Sequence, residues 1–259
     1  GAGDKLLTGR TLNTAGATTW SAGRLRVEQG GTISNTGTWD AQSNDAIVTD
    51  QGAGSFTNTA TGIFRKTVGS GTTSIGGTVC VVFCSGSAVA FNNAGAVDVQ
   101  SGTLLLLGGG TSSGSFSGAG TLNFGGGTHT LDAASSVTNS NTTFSGGTAN
   151  VAGSYNVTGT TLVSGGTANL TGTLASIGTL LNITSGTGNL SGSSTSVASY
   201  TQSGGTLTGS GTVTVSGAAS WSGGTMSGTG STVTNGTLSV SGAGDKLLTG
   251  RTLNTAGAT

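Results

Sequence analysis

The sequence predicts an all-β chain wound as a parallel β-solenoid, about 12–13 coils of ~20 residues each, with no regular helix. Three observations predict it. Short motifs recur at a spacing of 19 or 20 residues, the segments between them alternate polar and apolar residues, and glycine-rich corners separate the segments.

The period comes first. Ser145-Gly146-Gly147-Thr148 recurs at Ser164-Gly165-Gly166-Thr167, an offset of 19, and Ser203-Gly204-Gly205-Thr206 recurs at Ser222-Gly223-Gly224-Thr225, again 19. Thr167-Ala168-Asn169-Leu170 returns as Thr187-Gly188-Asn189-Leu190, an offset of 20. A fixed period of this length marks stacked supersecondary units. The strands follow from Arg24-Leu25-Arg26-Val27-Glu28, Val97-Asp98-Val99 and Thr212-Val213-Thr214-Val215, which alternate with period two and so place one set of side chains inside. The corners follow from the Ser-Gly-Gly, Gly-Ser-Gly and Asn-Gly steps between them, because glycine adopts the positive φ that a tight corner needs.

A second, longer repeat fixes the domain organisation. Residues 1–18, GAGDKLLTGRTLNTAGAT, reappear unchanged at 242–259, an offset of 241. The expectation is one β-solenoid repeat unit over 1–241, with 242–259 as the start of the next identical unit. At the ~4.8 Å spacing of neighbouring strands, twelve coils would rise about 58 Å. Within the unit, Ile33-Ser34-Asn35, Phe56-Thr57-Asn58 and Phe91-Asn92-Asn93 share an apolar–x–Asn pattern at offsets of 23 and then 35. Asn35, Asn58 and Asn93 are therefore candidates for an inward ladder of stacked amides. The wider gap predicts a loop insertion at about 70–87.

Composition excludes several function classes. The 259 residues include 52 Gly and no Pro, only 6% are charged, and the net charge is zero. No basic stripe is available to neutralise phosphates, so nucleic acid is not an expected partner. No apolar run approaches the ~20 residues of a membrane span; the longest, Leu104 to Leu107, has the length of a strand. Gly1-Ala2-Gly3-Asp4 has neither the basic nor the apolar region of a signal peptide, as expected of a segment within something longer.

The strings GTVTVSGAASWSGGTMSG (211–228), GAVDVQSGTLLLLGGG (95–110) and GTLNFGGGTHTL (120–131) resemble repeats of very large bacterial surface proteins. They are similar to autotransporter-passenger and filamentous-haemagglutinin-like giant repeat adhesins. The resemblance implies a right-handed parallel solenoid that is secreted and displayed at the cell surface. It implies fold and location more strongly than it implies a ligand.

Little in the sequence suggests chemistry. The only histidine, His129, has Asp132 three residues away and no marked nucleophile, so a catalytic triad is not expected. Asp40, Asp45 and Asp50, spaced by five, form a weak Ca²⁺ candidate, with Arg65 and Lys66 about one coil further on as ion-pair partners. No other metal, catalytic or cofactor site is expected. Twelve charged residues lie in 1–100, whereas Asp132 is the only one from 101 to 241, so Arg24, Arg26 and Glu28 read as a shared outward, solubilising face. Cys80 and Cys84 are a candidate disulfide if the chain loops tightly there. Trp20, Phe144 and Trp221 precede Ser/Gly turns (Ser-Ala-Gly after Trp20, Ser-Gly-Gly after the others), where core packing is favoured over a sugar-binding strip. Thr206/Thr208, Thr212/Thr214 and Thr232/Thr234 read as outward pairs, a remote basis for ice binding.

The expected function is a non-enzymatic structural segment of an extracellular bacterial fibre or stalk. Its partner is itself, by covalent tandem repetition and head-to-tail stacking. The alternative is an adhesin surface that binds surface glycans or cells.

Overall fold

The computed structural model describes residues 3–78 and 88–256. The chain is a parallel β-solenoid of about twelve turns, with ~20 residues in each and no helix among the described residues. It divides into two compact units, residues 1–130 and 131–259.

In the first unit the chain lays down three strands per turn. Lys5–Thr8, Thr11–Thr14 and Ala17–Trp20 make the first turn, and Leu25–Glu28, Thr32–Asn35 and Thr38–Ala41 the second. Each strand pairs in parallel with the strand three places on, so each turn contributes one strand to each of three sheets. Corresponding residues therefore form columns. Leu12, Ile33, Phe56 and Phe91 follow one another on the second sheet. Thr18, Trp39, Phe64, Val97 and Phe116 do so on the third.

Alternation turns these columns inward. Ile33, Trp39, Phe56, Phe64, Phe91 and Val97 are almost wholly buried. The aromatic members of neighbouring columns meet at the centre. Phe56 lies edge-on to Trp39 at 5.2 Å and to Phe64 at 5.4 Å between ring centroids, and stacks on Phe91 at 5.5 Å. Edge-on and offset-stacked rings are the favoured arrangements for aromatic quadrupoles.

The stretch expected to hold an insertion is partly regular. Thr72–Thr78 is a seven-residue strand of the first sheet, paired on one edge with Ala46–Thr49 and on the other with Thr103–Leu106. A bulge between Ile75 and Gly77 absorbs one extra residue. Gly76 sits there at φ 109°, and a Cβ on it would lie 2.1 Å from the backbone nitrogen of Gly108. Residues 79–87, which include Cys80 and Cys84, lie outside the described residues.

The second unit repeats the plan on smaller side chains. Thr148–Val151, Thr167–Leu170, Thr187–Leu190 and Thr206–Thr208 run in register, so Thr148, Thr167, Thr187 and Thr206 form one outward column. At one corner Gly153, Gly172 and Gly192 approach closely: a Cβ on Gly172 would lie 1.9 Å from the carbonyl oxygen of Gly153. The third sheet is interrupted between Thr173–Ile177 and Thr195–Val197. There the Leu174 N–H donates to the Ser193 hydroxyl at 2.8 Å, and a side chain replaces a ladder bond.

The aromatic centre gives a direct test. Phe56→Ala is expected to cost about 3–5 kcal/mol of unfolding free energy in a urea titration, and Phe56→Leu distinctly less, because the truncation leaves a cavity that three rings line.

Candidate functional site

The most organised polar feature is a column of amides. Asn35, Asn58 and Asn93 end successive strands of the second sheet in register, behind the inward Ile33, Phe56 and Phe91. All three are buried. The Thr14 hydroxyl donates to Asn35 Oδ1 at 2.9 Å, Asn35 Nδ2 donates to Asn58 Oδ1 at 2.9 Å, and Asn58 Nδ2 donates to Asn93 Oδ1 at 2.8 Å. The same amides close the corner backbone. Asn35 Nδ2 donates to the carbonyls of Gly37 and Ile63 at 3.1 Å, and Asn58 Nδ2 to those of Gly62 at 3.1 Å and Ala96 at 3.0 Å. Asn93 Nδ2 reaches Ser115 O at 3.2 Å. The ladder thus adds a second donor to the Gly37 and Gly62 carbonyls, which also accept from the Ile63 and Ala96 N–H groups.

The structure holds a second ladder that the sequence reading does not anticipate. Asn169 Nδ2 donates to Asn150 Oδ1 at 2.8 Å, and Asn189 Nδ2 to Asn169 Oδ1 at 3.1 Å, on the outward side of the second unit. Its signal is the Thr-x-Asn-Leu repeat at an offset of 20, which by itself brings like residues face to face.

The charged residues are not one solvated face. Arg24 is part-exposed and lies 3.8 Å from Asp4. Glu28 is buried, and so is Asp50. Arg26 lies between them, its Nη2 2.8 Å from Glu28 Oε1 and 3.1 Å from Asp50 Oδ2. The strand Leu25–Glu28 departs from strict alternation, with both Val27 and Glu28 buried, and this carries the carboxylate under the next turn.

Asp40, Asp45 and Asp50 are not brought together. Asp40 accepts from the Thr67 hydroxyl at 2.6 Å and from Gln42 at 2.9 Å, while Asp45 accepts from the Gly23 N–H at 2.6 Å. Among the described residues no three His, Cys, Asp or Glu side chains group as metal ligands would. Arg65 falls in register between Asp40 and Asp98, so charge alternates along that outward column. Lys66 turns inward and is fully buried, donating to Asn44 Oδ1 at 3.2 Å and Val68 O at 3.0 Å. Burial lowers its amine below the usual lysine range.

Trp20, Phe144 and Trp221 are core residues, only 4%, 1% and 6% exposed, and so form no sugar-binding strip. The two tryptophans share a local motif, with Nε1 donating to the carbonyl three residues on, Gly23 at 2.7 Å and Gly224 at 3.3 Å. Thr206, Thr208, Thr212 and Thr214 are half-buried on the outer side, but Thr232 and Thr234 point inward and are fully buried, which removes that pair from an outward array. The inward hydroxyl of Thr232 is used: it accepts from Arg251 Nε at 2.9 Å.

His129 also points inward, beside the Phe124 ring at 5.0 Å. Burial lowers its pKa to about 4, an effect only partly offset by hydrogen bonds to the Leu106 and Gly126 backbone. No family model, curated protein or solved structure matches the chain.

The amide ladder and the buried histidine each have a measurable consequence. Asn58→Ala removes the middle rung and leaves Asn35 Nδ2, Asn93 Oδ1 and two corner carbonyls each short of a partner; a loss of about 3 kcal/mol or more in urea unfolding is expected. His129 is neutral in the folded chain down to about pH 4, whereas the unfolded chain takes up a proton near pH 6.5. The unfolded state therefore binds more protons between those values, and stability falls as pH drops through that window, by about 3 kcal/mol at its limit. Urea titrations at pH 7 and pH 4 should show this loss, and His129→Phe should show a correspondingly smaller one.

Proposed function

We propose that this chain is a structural segment of an extracellular bacterial fibre or stalk built from tandem units of about 241 residues. One observation carries the reading. The eighteen residues that begin the chain occur again at 242–259, and there Lys246–Thr249 and Thr252–Thr255 continue the solenoid in register on Gly224–Ser227 and Ser231–Thr234. A chain that repeats this unit would extend its own sheets without a linker.

The side-chain inventory fits a load-bearing role. Stability in such a fold comes from interfaces between neighbouring turns and grows with their number. The inward columns are mostly apolar, with buried amides and hydroxyls and a few hydrogen-bonded charged groups, and the outer columns are mostly Thr, Ser and Asn. An extracellular bacterial setting rests on the resemblance to surface-displayed repeat adhesins. Glycan or cell binding is the competing reading of the same resemblance.

Electron microscopy and fibre diffraction of the native material test the proposal. Continuous filaments with a ~4.8 Å axial layer spacing are expected. Compact particles with no axial repeat would overturn it. Retention on a glycan array by protein that forms no filaments would favour the adhesin reading.

A further inference from the structure

Two strands of the repeated segment are described in both copies, each time from a different side. At the start of the chain, among the described residues, Lys5–Thr8 and Thr11–Thr14 stand at the ends of their sheets and pair with Leu25–Glu28 and Thr32–Asn35 of the following turn. Leu6 and Leu12 are 60% and 42% exposed there, and Arg10 is exposed. In the second copy the same strands pair along the opposite edge, with the preceding turn: Lys246–Thr249 on Gly224–Ser227 and Thr252–Thr255 on Ser231–Thr234. The first copy is thus paired with the turn after it, and the second with the turn before it.

The arginine differs most between the copies. Arg251, the counterpart of Arg10, is 3% exposed. Its Nε donates to the Thr232 hydroxyl at 2.9 Å, and its Nη2 donates to the carbonyls of Ser231 at 2.8 Å and Gly211 at 3.0 Å. Nη1 reaches Gly209 O at 3.4 Å. These acceptors belong to the two preceding turns, 19 to 42 residues earlier in the chain. The pocket is built for the guanidinium. A Cβ on Gly230 would lie 2.3 Å from the Gly211 carbonyl oxygen and 3.0 Å from Nη1, and Thr232, in register with the inward Val213, presents its hydroxyl on the inner side. A planar fork with five donors suits several carbonyls at fixed positions, and an ammonium does not.

We propose that residues 1–18 are a coupling segment whose partner is a second copy of this unit. In the tandem protein, Lys5–Thr8 and Thr11–Thr14 of each unit rest on the equivalents of Gly224–Ser227 and Ser231–Thr234 of the unit before. Arg10 locks that joint through the carbonyls at positions 209, 211 and 231 and the hydroxyl at 232, as Arg251 does here. The proposal rests on the tandem reading above and adds the seat and the lock.

Hydrogen exchange on the full chain tests it, because the chain carries its own control. Arg251→Ala should speed amide exchange over about 228–256 by roughly tenfold or more, since removing the guanidinium's hydrogen bonds makes local opening easier. Arg251→Lys should restore little of the protection. Arg10→Ala, the same substitution in the same eighteen residues, should leave exchange unchanged. An unchanged pattern in Arg251→Ala, or equal effects from the two alanine variants, overturns the lock whatever the length of the native protein. A native polypeptide whose intact mass holds a single unit overturns the tandem reading, and the coupling role with it, even where the exchange contrast is present.

Discussion

Every turn is held to the next by parallel backbone hydrogen bonds in register, and the remaining properties of the chain derive from that constraint. Parallel pairing at a fixed offset sets each residue over its own counterpart one turn on. Side chains then meet side chains of the same column: Asn35 meets Asn58, Phe56 meets Phe91, Thr148 meets Thr167. Amides gain from this, since each has a donor and an acceptor to offer along the column. Rings and threonines tolerate it. Like charges do not, because directly opposed like charges on neighbouring strands repel. The low charge of the chain is therefore a consequence of its fold. Where charge is present it alternates, as in Asp40, Arg65 and Asp98, or is gathered under one guanidinium, as at Arg26.

The same constraint explains the glycine content. Stacked corners bring backbone onto backbone, and the 1.9 Å gap that a Cβ on Gly172 would leave to the Gly153 carbonyl shows how little room remains. Glycine is costly in conformational entropy, so the corners need compensation. Part of it comes from side chains that satisfy corner carbonyls, with Asn58 serving Gly62 and Ala96 as well as Asn93. The packed rings of the first unit, and Phe144, Tyr155, Tyr200 and Trp221 in the second, contribute buried apolar area as well.

What the sequence made legible was what repeats. The 19- and 20-residue offsets, the period-two alternation and the glycine corners specify parallel stacking, and the apolar–x–Asn pattern points to residues that lie in one buried column. What escaped was polar and inward. Thr232, Glu28 and Asp50 occupy interior positions because an arginine meets each of them there: Arg251 donates to Thr232 from 19 residues on, and Arg26, two residues before Glu28 in the same strand, also reaches Asp50 24 residues on. A reading that assigns apolar residues to the inside and polar residues to the outside has no access to such pairs. The Asn150, Asn169 and Asn189 ladder escaped for a different reason: it is outward, where the period was visible but a column of asparagines looks like ordinary surface.

Identical sequence does not mean identical structure here, and the difference arises at the edges. Arg10 and Arg251 share nine residues on one side and eight on the other, yet one is exposed and the other buried against the carbonyls of two turns. Local propensity cannot separate them; only the presence of a preceding turn does. A segment that pairs on both edges is constrained twice, because its outer columns, inner columns and corner glycines must fit the turn before and the turn after. In a tandem array, the strands that join one unit to the next must fit the turn before and the turn after, as Thr32–Asn35 does between Thr11–Thr14 and Gly54–Asn58.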